Sequence, residues 1–144
     1  MIAKIFRGFW FFTLVGLLVF FLYDYASMSE ELLLSDEATN LTVSRDVFFY
    51  CFLALAALTN GSVYLMRSLM KHPSYVSWYT GLVILCNFFF MLTAYFVMLY
   101  NSTEKYDFKY MGLALYLVLG AVALWLIVLP VVRSRVKQSD KEKL

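Results

Sequence analysis

Residues Tyr75 to Tyr100 read YVSWYTGLVILCNFFFMLTAYFVMLY, a stretch without a single Asp, Glu, Lys, Arg or His. A helix crosses the bilayer's hydrocarbon core, about 30 Å thick, with about 20 apolar residues, so this stretch is long enough to span it. Three stretches of the same character accompany it: Phe9 to Tyr23, Val47 to Met66 and Met111 to Val132. The expected fold is therefore an all-α, integral membrane four-helix bundle, both termini cytoplasmic. The spans fall at about 6–25, 46–70, 74–100 and 109–133, the outer loops at 26–45 and 101–108, and a basic cytoplasmic tail at 134–144. Residues 1–144 form a single transmembrane domain, with no room for a separate soluble one.

Composition leads to the same place. Apolar residues make up 62% of the chain and charged residues only 15%. A soluble chain of this size could not hide that much apolar surface. Proton pumps, ion-coupled carriers and voltage sensors need ionisable groups inside the membrane. The four interiors offer none, which removes those functions from consideration.

Charge sets the expected orientation. If the first span runs outward, the inner side holds Lys4, Arg7, Arg67, Lys71, Arg133, Arg135, Lys137, Lys141 and Lys143, against Asp140 and Glu142. The outer side holds Asp24, Glu30, Glu31, Asp36, Glu37, Asp46, Glu104 and Asp107, opposed by Arg45, Lys105 and Lys109. Basic residues in short loops stay cytoplasmic. The first segment reads as an uncleaved anchor, because Asp24-Tyr25-Ala26-Ser27 is a poor match to a small-x-small cleavage site. Cys51 and Cys86 sit at different depths and are not expected to pair.

The first outer loop contains Ser29-Glu30-Glu31-Leu32-Leu33-Leu34, read as a short interfacial turn of helix. Ser44 or Asp46 is the expected N-cap of the second span. The tight link Lys71-His72-Pro73-Ser74 makes spans two and three an antiparallel hairpin, with Pro73 as the break.

Asn60 and Asn87 are the most polar side chains at depth. Counted from that link, they lie within about one helical turn of each other in height. A carboxamide facing lipid is costly, so an inter-helix polar contact between Asn60 and Asn87 is expected, worth roughly 0.6–2 kcal/mol. The alternative role is a polar contact for a ligand or partner helix. Ala57-x-x-x-Gly61, Gly112, Gly120 and Ala123 supply small residues for close helix approach.

No motif for chemistry emerges. His72 is the only histidine and lies in a turn, so no pair of haem ligands exists. Metal-ligand spacing, a Gly-rich phosphate loop and a nucleophile–His–acid set are all missing. Catalytic residues, cofactors and metals are therefore expected to be none. Asn40-Leu41-Thr42 and Asn101-Ser102-Thr103 match the glycosylation sequon, but so does Asn60-Gly61-Ser62 inside a span, so the pattern carries little weight. The acidic first loop presents Glu30, Glu31, Asp36 and Glu37 as a candidate partner surface. The basic tail is suited to anionic headgroups.

Tyr25-Ala26-Ser27-Met28-Ser29-Glu30, then Thr42-Val43-Ser44-Arg45-Asp46-Val47-Phe48-Phe49-Tyr50 and Glu104-Lys105-Tyr106-Asp107-Phe108, give the chain a layout of known type. It resembles uncharacterised small four-helix inner-membrane proteins of bacteria. The resemblance implies a bacterial inner (plasma) membrane and no activity. The expected function is that of a non-enzymatic accessory or stabilising subunit of a larger inner-membrane assembly. Its partners are the lipid bilayer and other membrane protein subunits, with no nucleic acid. The alternative is a binder or carrier of a lipid or apolar small molecule in an inter-helix pocket.

Overall fold

The computed structural model describes residues 2–34, 41–70, 72–102 and 108–141. Among them run four helices: α1 (Ile2–Ser27), α2 (Arg45–Leu69), α3 (Pro73–Tyr100) and α4 (Phe108–Lys141). Between α1 and α2 lies a small antiparallel hairpin, β1 (Glu31–Leu33) and β2 (Thr42–Ser44). Each helix is long and apolar enough to cross a membrane. The path of the chain puts the start of α1 and the close of α4 at one end of the bundle, the termini end. The β-hairpin marks the other end.

Local chemistry fixes the helix starts. Ser44 caps α2, its Oγ accepting from the Val47 amide at 3.3 Å, and Asp46 sits in the first turn. There its charge favours the positive end of the helix dipole. Pro73 opens α3, where a missing amide hydrogen costs nothing, and His72 Nδ1 accepts from the Ser74 amide at 3.3 Å.

Two expectations need correction. The leucine-rich run after Ser29 is a strand, not a turn of helix. Leu32 points inward and is fully buried, and β1 pairs with β2 in the register Leu32 to Val43. The ladder extends through Leu34 N–H to Leu41 C=O and Arg45 N–H to Glu30 C=O, both 2.9 Å. A free strand edge leaves backbone groups unpaired. Asn101, at the end of α3, closes this one: its Oδ1 accepts from the Leu33 amide at 2.6 Å and its Nδ2 donates to the Leu33 carbonyl at 3.2 Å.

The second correction concerns Asp24, counted among the charges of the outer side. Helix α1 runs one turn past the apolar stretch that closes at Tyr23, to Ser27, because Asp24-Tyr25-Ala26-Ser27 contains nothing to stop it. Asp24 is consequently only 1% exposed. The chain of the basic tail expected at 134–144 continues as helix to Lys141. Arg, Val, Lys and Gln after Arg133 include good helix formers and no Gly or Pro. Residues 142–144 lie outside the described residues.

Helix α3 occupies the centre, packing extensively on α1 and α4 and less on α2, while α1 and α2 meet only sparsely. Two buried clusters hold α1, α2 and α3 together. One contains Trp10, Val63, Val83 and Ile84 towards the termini end, the other Leu17, Phe21, Ala56 and Ala94 towards the hairpin. The apolar span of α4 has no buried residue, and Tyr116, Leu117, Leu124 and Ile127 are each at least two-thirds or nearly so exposed. Apolar exposure on this scale suits a multi-pass membrane protein, whose outer face meets lipid.

Candidate functional site

At mid-bundle three of the buried polar residues, Thr13, Asn60 and Asn87, converge beside Trp10. Asn60 of α2 and Asn87 of α3 exchange two hydrogen bonds: Asn60 Nδ2 donates to Asn87 Oδ1 at 2.8 Å, and Asn87 Nδ2 donates to Asn60 Oδ1 at 3.0 Å. Helix α1 joins through two further side chains. Trp10 Nε1 donates to Asn60 Oδ1 at 2.9 Å, and Asn87 Nδ2 donates to Thr13 Oγ1 at 3.2 Å. Thr13 Oγ1 donates to the Trp10 carbonyl, and Asn60 Nδ2 also donates to the Ala56 carbonyl, both at 2.9 Å.

The orientation of the Asn60 carboxamide follows from its neighbours. The indole N–H of Trp10 can only donate, so the atom facing it is oxygen. The Ala56 carbonyl can only accept, so the atom facing it is nitrogen. Asn60 thus uses two acceptor directions and both amide hydrogens. All four members are at most 7% exposed, and Asn87 is completely buried. A buried polar group is costly when unpaired and rigidifying when paired. This network is nearly saturated, with one acceptor direction each on Asn87 Oδ1 and Thr13 Oγ1 left over. Carboxamide, indole and hydroxyl groups do not change charge in the physiological range.

Trp10 also links the network to the termini end. Its ring meets Tyr64 edge-on with centroids 5.7 Å apart, and the Arg67 guanidinium lies 5.5 Å from Trp10 and 5.6 Å from Tyr64. Nε and Nη2 of Arg67 are buried without a hydrogen-bond partner, so the aromatic faces are what hold this charge. Between the poorly touching α1 and α2 a groove of about 290 Å³ is lined by Trp10, Leu14, Ala57, Asn60, Gly61 and Tyr64, among others. Asn60 borders it, and Asn87 does not.

Helix α4 is attached by another device. Trp78 Nε1 donates to the Trp125 carbonyl at 3.0 Å, and Trp125 Nε1 donates to the Trp78 carbonyl at 2.9 Å. The Trp125 ring lies against Gly81 of α3, where a Cβ would collide with Trp125 Cζ2 and come within 2.9 Å of Cε2 and 3.0 Å of Phe6 Cε1. The small residues expected at close helix approaches are elsewhere. Nothing lies within 4 Å of a Cβ built on Gly61, Gly112 or Gly120, and Ala57 and Ala123 are exposed. Gly81 is the glycine that a neighbouring helix requires.

Of the acidic partner surface, Glu30 and Glu31 are exposed on the hairpin, whereas Asp36 and Glu37 lie outside the described residues. Asp46 accepts from Tyr25 Oη at 2.8 Å and pairs with Arg45 at 3.9 Å. Sequence reasoning did not place Trp10 and Thr13 in the polar network. Their spacing of three on one helix face was the available signal, but an aromatic near a span's end reads first as an interfacial anchor. No protein-family model, curated protein or solved structure matches the chain.

Proposed function

We propose that this chain is a small non-enzymatic integral membrane protein, an accessory or stabilising subunit of a larger assembly in a bacterial inner membrane. It crosses the bilayer four times with both termini cytoplasmic, supported by nine basic residues on the termini side against three on the hairpin side. The observation that carries the reading is the saturation of the mid-bundle network. A group that binds or transforms a substrate needs hydrogen-bonding capacity or charge to spare. Asn60 has none left, and Asn87 is completely buried. Their hydrogen bonds tie α1, α2 and α3 into one rigid unit. The long exposed flank of α4 and the exposed Glu30 and Glu31 supply surfaces for other subunits.

Purification in mild detergent from cells at native expression levels tests the proposal. It predicts that the chain co-elutes at fixed stoichiometry with the same membrane proteins. A chain that runs alone under those conditions removes its support.

The second reading, a carrier or binder of a lipid or apolar small molecule, is favoured by the α1–α2 groove with its aromatic walls and Asn60 at its border. Replacing both Asn60 and Asn87 with Leu separates the two. A carrier loses binding with its bundle intact; a stabilising network loses stability.

A further inference from the structure

Asp24 is the only ionisable side chain among the buried residues described, and neither of its carboxylate oxygens has a hydrogen-bond partner. An unpaired carboxylate in apolar surroundings is strongly disfavoured. Asp24 lines a cavity of about 10 Å³, room for one water-sized group, together with the rings of Phe21, Tyr25, Phe48, Phe49 and Phe52. These rings form a continuous cluster, with Tyr25 and Phe49 centroids 4.7 Å apart and Phe48 and Phe52 centroids 4.5 Å apart.

The adjacent cation does not satisfy Asp24. Arg45 lies over the Tyr25 ring at 4.6 Å, donates from Nη1 to the Met28 carbonyl at 3.2 Å, and forms its ion pair with Asp46. Taken together, Asp24, Arg45 and Asp46 lack one positive charge. A hard metal ion would want several oxygen ligands, whereas the walls here are one carboxylate, aromatic rings, Met28 and Ala94, with the Tyr25 hydroxyl engaged by Asp46. Aromatic faces instead attract organic cations, and the volume admits an –NH3+ group but not a quaternary one.

We propose that this cavity binds a single primary ammonium group, which donates hydrogen bonds to the Asp24 carboxylate and places its charge against the surrounding aromatic rings. At the hairpin end of the bundle the ammonium comes from an ethanolamine lipid headgroup or from a free amine. The site goes beyond the subunit reading and does not depend on it; only the lipid source rests on the chain being membrane-embedded.

The test is thermal unfolding of the full chain, followed by circular dichroism. In detergent, methylammonium chloride should raise Tm saturably by a few degrees above a sodium chloride control of equal ionic strength. Tetramethylammonium should not, and D24N should respond to neither. F52L keeps the carboxylate and should weaken the methylammonium effect roughly 2–10-fold, so the proposal stays open to refutation even if D24N fails to fold. In vesicles, a lipid source predicts a higher wild-type Tm in phosphatidylethanolamine than in phosphatidylcholine, and no further response to methylammonium there. A free-amine source predicts the same methylammonium response in both. Equal responses of the wild type, D24N and F52L, or equal responses to methylammonium and tetramethylammonium, would overturn the proposal.

Discussion

Trp78 and Trp125 each donate their indole hydrogen to the other's backbone carbonyl, at 3.0 and 2.9 Å, across the contact of α3 and α4. Both carbonyls lie inside helices, so these bonds are added to the helical ladder. They matter because the apolar span of α4 buries no residue of its own. Within the wider contact of α3 and α4, this reciprocal pair and the Trp125 ring lying against Gly81 help fix its position.

Gly81→Ala should therefore destabilise the bundle, where most glycine replacements in helices do the reverse. Alanine is favoured over glycine in a helix by about 1 kcal/mol, but forcing atoms into a packed contact costs about 1–3 kcal/mol. The collision with Trp125 and Phe6 makes the second effect the larger, for a net loss of up to about 2 kcal/mol. Gly61→Ala meets nothing within 4 Å and should be neutral or stabilising. Unfolding in detergent checks the pair, and equal effects would contradict the packing described.

Trp10→Phe keeps most of the ring and its contact with Tyr64 but removes the indole donor to Asn60. A buried acceptor then loses one of its two partners, a loss of about 0.5–1.5 kcal/mol. Arg67 also loses the better of its two aromatic faces. Denaturant unfolding should show the decrease, and the W10F bundle should remain helical by circular dichroism.

Asn101→Ala should act locally. It removes the hydrogen bonds to both backbone groups of Leu33 and one to the Val97 carbonyl. Amide hydrogen exchange at Leu33 should accelerate by at least about fivefold, since one lost hydrogen bond is worth about 1 kcal/mol or more and this amide loses the Asn101 acceptor. Exchange in the middle of α3 should not change. Uniform acceleration through α3 would show that the hairpin and the helix open as one unit.

Much of this architecture follows from hydropathy, because an uninterrupted apolar run of 20 or more residues has few alternatives to a helix. Counting from the tight link before Pro73 puts Asn60 and Asn87 at one height, and the structure shows them hydrogen-bonded. What one helix's sequence cannot supply is which other helix covers which face. Helix α3 is apolar all round, so nothing in it marks Gly81 as the covered glycine, and small-residue spacing pointed to Gly61 and Gly112 instead. Leu32-Leu33-Leu34 is too short for its period to separate strand from helix, and its strand edge is closed by Asn101, distant in sequence. Asp24 counted as an outer-side charge because it is the first charge after an apolar run. Only the extra turn of α1 and the aromatic rings brought by α2 reveal its burial.

A double-mutant cycle on Asn60 and Asn87, each replaced by Leu and followed by equilibrium unfolding in detergent, bears most directly on the role of the mid-bundle network. Each single replacement leaves its partner's buried carboxamide short of a bond and should cost about 1–3 kcal/mol. The double variant should cost less than the two singles combined, by roughly 0.6–2 kcal/mol. Two singles that leave stability unchanged, or a double variant that is strictly additive, would contradict a structural role for the pair.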